Sequence, residues 1–356
     1  MVPADPPRPP RDPRTARHRR PPRRRRLLVT ILAVVVLLIV GVVAWYEIEA
    51  HPFGGPGRRE VIEVVSGESN SQVASTLAAH GVIGSALAFR LNIKLHQLSV
   101  LPGTYALAQN DSFGNVRSIL SNGPNVNTVM IQAGQTLAEV ANHVDQLPGH
   151  ESSSFAAVAK SGQVTSPFQP AGTTDLEGLL GSGNYVVYPG ESDRQLLQDM
   201  VQRFTVQARA AGVTTAAAAA KGMTTYQLVI VASIVEKEGY YEVNMPKVAR
   251  VIYNRLAQGI MLQMDSTVLY SIGQDGGTVT PADLKLVTPY NTYLNHGLTP
   301  TPICIPSPTA LRAAVSPPAG NWLYFTLVNK DGTMAFSDTY SQQLANEKLA
   351  TARGLP

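Results

Sequence analysis

Apolar and polar positions fall along this chain in blocks of three kinds. The first is a single unbroken apolar run, residues 27–45, nineteen residues without a charge. As a helix it is long enough to cross the roughly 30 Å of a bilayer's hydrocarbon. Trp45 and Tyr46 close it as interfacial aromatics do. The second kind is a short apolar strand, a polar turn, and a helix opening on Ser or Thr. It recurs at Gly67-Glu68-Ser69, Asn110-Asp111-Ser112, Gly134-Gln135-Thr136 and Gly190-Glu191-Ser192. The strands before these turns are predicted at 61–65, 104–107, 128–131 and 185–188. The hydroxyl residue caps the helix that follows, and Thr136 with Glu139 fits a capping box. The third kind is helical periodicity. It marks an apolar helix ending near Glu236, a helix from Asn244 and Pro246 to a stop at Gly259, and a terminal helix over 341–352. Between the last two, Asn329-Lys330-Asp331-Gly332 joins two predicted strands as a hairpin. Strands and helices in this order predict an α+β chain.

Charge changes the picture at the N-terminus. Ten Arg stand within the first 26 residues against Asp5 and Asp12, a balance of +8. The whole chain carries +4, so the remainder carries about −4, and the basic pI is no sign of nucleic-acid binding. An Arg cluster before an apolar span predicts a cytoplasmic N-terminus and a body on the far side of the membrane. The rival, a cleaved signal peptide, would have a shorter apolar core, and no small-x-small cleavage site follows Trp45. An uncleaved anchor is therefore expected. The expected organisation is a disordered tail (1–26), an anchor (27–46), a linker (47–60), a small α+β module (61–162) and a main domain (163–356). Cys304 is the sole cysteine and reads as a packed thiol, and the seven His show no HExxH-like spacing. With no Walker or dinucleotide glycine pattern either, neither metal nor cofactor is expected.

The stretch 228–267, LVIVASIVEKEGYYEVNMPKVARVIYNRLAQGIMLQMDST, carries the candidate chemistry. At helical spacing Glu236 sits above Ala232 and Ser233, small residues that leave room beside its carboxylate. A carboxylate held against apolar surface loses hydration of its charged form, which raises its pKa toward the range of a general acid. Glu238 lies roughly 200° further round the helix and is expected to point away from Glu236. The ordinary alternative is a solvated Glu at a helix end.

Five motifs shift that balance: ASIVEKEG (232–239), KVARVIYNRL (247–256), LQMDSTVLY (262–270), YNTY (290–293) and GLTPTPI (297–303). Their order and spacing resemble the YceG-like, or MltG, endolytic murein transglycosylases, from about residue 61 to the C-terminus. The resemblance implies a LysM-like module at 61–162 followed by a mixed α/β catalytic domain. It implies that Glu236 is the catalytic acid/base and that the substrate is the glycan strand of peptidoglycan. It also implies cleavage of the MurNAc–GlcNAc bond to a 1,6-anhydro end, and synthases of elongation or division as protein partners. Glu177, Asn254, Gln263, Asp265, Tyr290, Asn291 and Tyr293 are the candidate substrate-binding residues. For several a plain role competes: a turn cap for Asp265, bonds to carbonyls for Asn254, and aromatic packing for the Tyr cluster. The chain departs from the family pattern at Gly181-Ser182-Gly183, where Phe-Pro-Asp is usual. It departs again at Ser266, where Pro is usual, and at Thr301, Ile305 and Ser307. Two other classes stay open, a muramidase-type hydrolase using a second carboxylate and a tethered peptidoglycan-binding scaffold without turnover.

Overall fold

The computed structural model describes residues 23–150, 154–239 and 241–355. Residues 1–22 of the expected disordered tail lie outside them. The chain divides into two compact units, Met1–Asn125 and Val126–Pro356.

Unit 1 opens with α1 (Arg23–Ala50), whose stretch Leu27–Ala50 is long and apolar enough to cross a membrane. Arg23–Arg26 and Glu47–Ala50 extend this helix beyond the expected 27–46. The C-terminal extension has a packing reason. Ala50 is 4% exposed, Tyr46 stacks edge-on at 6.1 Å from Phe113, and Asn92 Nδ2 donates to the Tyr46 hydroxyl at 2.7 Å. The helix end is thus part of unit 1's core rather than of a linker. There follow β1 (Arg59–Val64), α2 (Asn70–Ala79), α3 (Ala86–His96), β2 (Gly103–Ala108) and α4 (Phe113–Asn122). β1 and β2 pair antiparallel, Val61 opposite Ala106, over a core of Ile62, Leu77, Phe89, Leu107 and Phe113.

Unit 2 begins with β3 (Asn127–Ile131), α5 (Leu137–Val144), α6 (Ser154–Lys160), β4 (Gly183–Val187), α7 (Asp193–Ala210) and α8 (Thr215–Ala219). It continues with α9 (Thr225–Glu238), α10 (Met245–Ala257), α11 (Asp265–Ser271), α12 (Pro308–Val315), β5 (Tyr324–Leu327), β6 (Met334–Ser337) and α13 (Tyr340–Ala352). The division falls at 125/126 and not at the expected 162/163. Residues 127–131 pair antiparallel with 183–187, and Leu137, Val140, Val144 and Phe155 share one core with α9. Apolar periodicity cannot reveal this, since a strand's partner 56 residues away leaves no local mark.

The expected caps are present. Ser69, Ser112, Thr136 and Ser192 each accept an N–H from the third residue of the helix they open. The expected hairpin is β5–β6, with Phe325 opposite Phe336. Gly181 and Gly183 have a local purpose. A Cβ at Gly181 would lie 2.6 Å from Phe204 N, and one at Gly183 would lie 2.1 Å from Arg203 Nη1. The departure at 181–183 therefore serves close packing on α7.

α9 is the centre of unit 2. Residues 228–235 are all buried, and the helix packs against α8, α10, α11 and α12. Thr224 and Gln227 form its capping box, so its start and its register are set locally.

Candidate active site

The C-terminal turn of α9 presents its two carboxylates to different surroundings. Ser233 Oγ accepts the Ile303 N–H at 3.0 Å, Cys304 Sγ donates to Ser233 O, and Glu236 Oε2 accepts the Ser307 N–H at 2.8 Å. The room beside Glu236 is thus filled by residues 303–307 of the same chain. Glu236 holds the residue that caps α12, and it does not line the cavity next to α9.

Glu238 does line that cavity, a space of about 790 Å³. Its walls are the start of α5, Asp175 and Glu177, the end of α9, one face of α11 with Asp265, Ser266 and Tyr270, the loop 273–277, and Tyr290. Glu238 Oε1 accepts the Ser266 N–H at 3.2 Å. Burial raises the Glu238 pKa, opposed by Ser266 and Arg255 and reinforced by Asp265. Of the two carboxyls in the last turn of α9, Glu238 is the one at the cavity wall. The helical offset that sets the two apart places Glu236, the expected acid/base, against residues 303–307 instead.

Around Glu238 the neighbouring segments are tightly knitted. Asp265, the first residue of α11, is exposed, and its Oδ1 accepts the Tyr293 hydroxyl at 2.5 Å. The start of α11 is tied down by Thr292, whose Oγ1 accepts the Met264 N–H and bonds Thr267 Oγ1 at 2.9 Å. Arg255 is 8% exposed and donates to the carbonyls of Leu262 and Leu323 at 2.7 and 2.6 Å, its pKa lowered by burial. Lys237 pairs with Asp275 of the glycine-rich loop 273–277.

Across the cavity Glu177 is 5% exposed, accepting the Leu137 N–H at 3.0 Å and the Tyr270 hydroxyl at 3.1 Å. Desolvation dominates these bonds and pushes its pKa to about 7. The Tyr270 and Tyr290 rings lie 5.0 Å apart, and the Tyr290 hydroxyl bonds Thr301 Oγ1 at 2.9 Å. The backbone beside Glu177 admits only glycine: Gly178 has φ +71°, and a Cβ there would lie 2.9 Å from the Cys304 carbonyl.

The candidate residues divide accordingly. Glu177, Asp265 and Tyr290 line the cavity, and Tyr293 reaches it through Asp265. Asn254 is spent on the carbonyls of Gly320 and Trp322 at 3.0 and 2.9 Å. Asn291, fully buried, donates to the Leu284 and Leu286 carbonyls and accepts the Tyr293 N–H, so it shapes the turn that carries Tyr293. Gln263 is exposed in a left-handed conformation, φ +50°, and is not among the lining residues. Sequence reasoning missed Glu238, Ser266 and Tyr270. One signal existed for Glu238: a stripe of small residues such as Ala232 and Ser233 is where another segment packs closely, which leaves the neighbouring face free. Among the described residues no group of three His, Cys, Asp or Glu could hold a metal ion.

The YceG-like family matches residues 62–349, most of the chain. The chain belongs to the YceG-like family. This YceG-like protein is 28% identical over 310 residues to an endolytic murein transglycosylase of Bacillus subtilis strain 168, covering 82% of this chain and 85% of the relative. It is 25% identical over 309 residues to one of Streptococcus pneumoniae strain R6, covering 78% of this chain and 56% of that longer protein. The crystal structure of a YceG-like protein of Listeria monocytogenes superposes with a TM-score of 0.55 at 25% identity, covering 81% of this chain and 99% of the other. The mixed helix-and-sheet architecture after α1 is thus that of a YceG-like fold.

Proposed function

We propose that the protein is a membrane-anchored endolytic lytic transglycosylase that cleaves the MurNAc–GlcNAc bond of nascent glycan strands and leaves a 1,6-anhydro-MurNAc end. The activity of the two relatives, endolytic murein transglycosylases, supports the reaction class. The observation that carries the reading is Glu238, a desolvated carboxyl at the wall of a 790 Å³ cavity, with Asp265 beside it.

In this reading protonated Glu238 gives its proton to the glycosidic oxygen as the bond from C1 of MurNAc breaks. The positive charge that develops at C1 and the ring oxygen is stabilised by the Asp265 carboxylate, which Tyr293 orients. The C6 hydroxyl of the same sugar then attacks C1, and its proton returns to Glu238. One carboxyl thus serves as acid and then base, and no water is consumed. Tyr270 and Tyr290 supply apolar faces for sugar rings, and Glu177 shapes the opposite wall. α1 anchors the enzyme with its N-terminus in the cytoplasm and the residues after α1 outside. The part of unit 1 after α1, within the expected 61–162, serves as the LysM-like, glycan-binding module, and synthases of elongation or division are the expected protein partners.

Glu238→Gln and Glu236→Gln, assayed on purified glycan strands with products read by mass spectrometry, test the reading. Glu238→Gln should lose roughly 10²-fold to 10⁴-fold in rate while melting like wild type. Glu236→Gln keeps a carbonyl for the Ser307 N–H and should still cleave. The reverse pattern would return the acid/base role to Glu236. Anhydro ends, one water lighter than reducing ends, are expected. Reducing ends would make the enzyme a muramidase and give Asp265 or Glu177 a chemical role. No products, together with sedimentation of the chain onto insoluble peptidoglycan, would make it a binding protein.

A further inference from the structure

We infer that the backbone N–H of Ser266 is a positioning group for Glu238, fixing one carboxylate oxygen and favouring its ionised form in the interval between the two proton transfers. This rests on Glu238 being the acid/base of the proposed reaction.

The geometry comes from the way α11 starts. Its N-cap, Met264, has no side-chain oxygen to offer, so the first-turn N–H groups must find partners elsewhere. The Thr267 N–H turns back to Met264 O at 3.1 Å. The Ser266 N–H, on the second residue of the helix, goes to Glu238 Oε1 at 3.2 Å, so a carboxylate from α9 caps α11. The bond joins residues 28 apart and crosses between two helices, each held separately. α9 is capped at Thr224, and the start of α11 is bolted to Thr292. One oxygen of Glu238 is therefore held in place while the other is left for the proton that moves.

The groups that face Glu238 are Asp265 and Ser266 from α11, Arg255 from α10, and Tyr293 from the segment after residue 290. Asp265 disfavours its charge. Arg255 favours it from a distance, with its N–H groups committed to carbonyls. The Tyr293 hydroxyl is committed to Asp265. The Ser266 amide donates directly to this carboxylate from α11, the Ser266 side chain favours its charge as well, and a bond of that kind stabilises the charged form. Pro cannot make it, because Pro has no N–H. Position 266 lies in the first turn of α11, where a helix tolerates Pro.

Ser266→Pro and Ser266→Ala in the full chain, solubilised in detergent and assayed on purified glycan strands, separate amide from hydroxyl. The Pro variant should move the alkaline limb of the kcat/KM profile upward by about one pH unit, with the loss at neutral pH falling on kcat rather than KM. The Ala variant keeps the N–H and loses only the hydroxyl, so its alkaline limb should move clearly less far than that of the Pro variant. A Pro variant whose profile superimposes on wild type overturns the inference. So does an Ala variant that shifts as far as Pro, which would assign the effect to the hydroxyl. If the Pro variant does not fold, the amide proton of Ser266 in the wild-type chain decides. Its NMR shift should titrate with Glu238 and cease to titrate in Glu238→Gln; a shift that stays flat across the range overturns the inference. Glu238→Gln turning over at the wild-type rate would instead sink the acid/base role, and the amide titration would still report the bond.

Discussion

Replacing Glu177 by Gln should flatten the pH dependence of unit 2's stability. Glu177 is 5% exposed, and burial lifts its pKa from the ordinary 4.5 to about 7 against the pull of the Leu137 N–H and the Tyr270 hydroxyl. Between those values the folded chain keeps a proton that the unfolded chain has released. The contribution to stability is therefore fully present below about pH 4.5 and is lost as pH rises through about 7. A gap of about 2.5 pH units, at about 1.4 kcal/mol per unit, sets that loss at about 3 kcal/mol. Gln does not titrate, and its carbonyl can still accept the Leu137 N–H. Tyr270 loses a charged acceptor, a cost of about 1 kcal/mol. Glu177→Gln should then be about 2 kcal/mol more stable than wild type at pH 8 and no more stable at pH 4.5. The assay is urea unfolding at a series of pH values, followed by Trp322 fluorescence in a Trp45→Phe background. Trp322 packs 5.8 Å from Phe336 and so reports on unit 2. Stability curves for the two chains that run parallel from pH 4.5 to 8 would refute the placement of a desolvated carboxyl at 177.

Two further outcomes are expected. Asn254→Ala should cost about 1–3 kcal/mol of stability, through the freed Gly320 and Trp322 carbonyls, and leave kcat/KM within about threefold. A large loss of turnover at unchanged stability would instead put Asn254 on the substrate. In intact spheroplasts an external protease should degrade the residues after α1 while an epitope at the N-terminus stays protected. Protection of the residues after α1, or a mature chain beginning after Trp45, would contradict the proposed anchor and its orientation.

Position 238 shows why so much of the scaffold was legible and so little of the site. The four strand–turn–helix starts were readable because a cap is a contact between residues three apart, as Thr136 and Glu139 illustrate. The hairpin at 329–332 was readable for the same reason. Helical spacing correctly separated Glu236 from Glu238, but which of the two faces a cavity depends on what packs against each face. Residues 303–307, about seventy positions downstream, took the face of Ser233 and Glu236.

What the sequence by itself determined is the local layer: a membrane-length apolar helix, capped elements in their order, and the motifs that resemble the YceG-like family. Only the tertiary structure decided the rest. Residues 126–162 join unit 2 because β3 pairs with β4 across 56 positions. Asn254 and Asn291 bond backbone carbonyls rather than the cavity. Glu238 gains its environment from Ser266, Asp265 and Arg255, all on other helices. Caps and periodicities are contacts within one or two turns, so they are written in neighbouring residues. A carboxylate's desolvation and partners are sums over distant segments, and they exist only once the chain has packed.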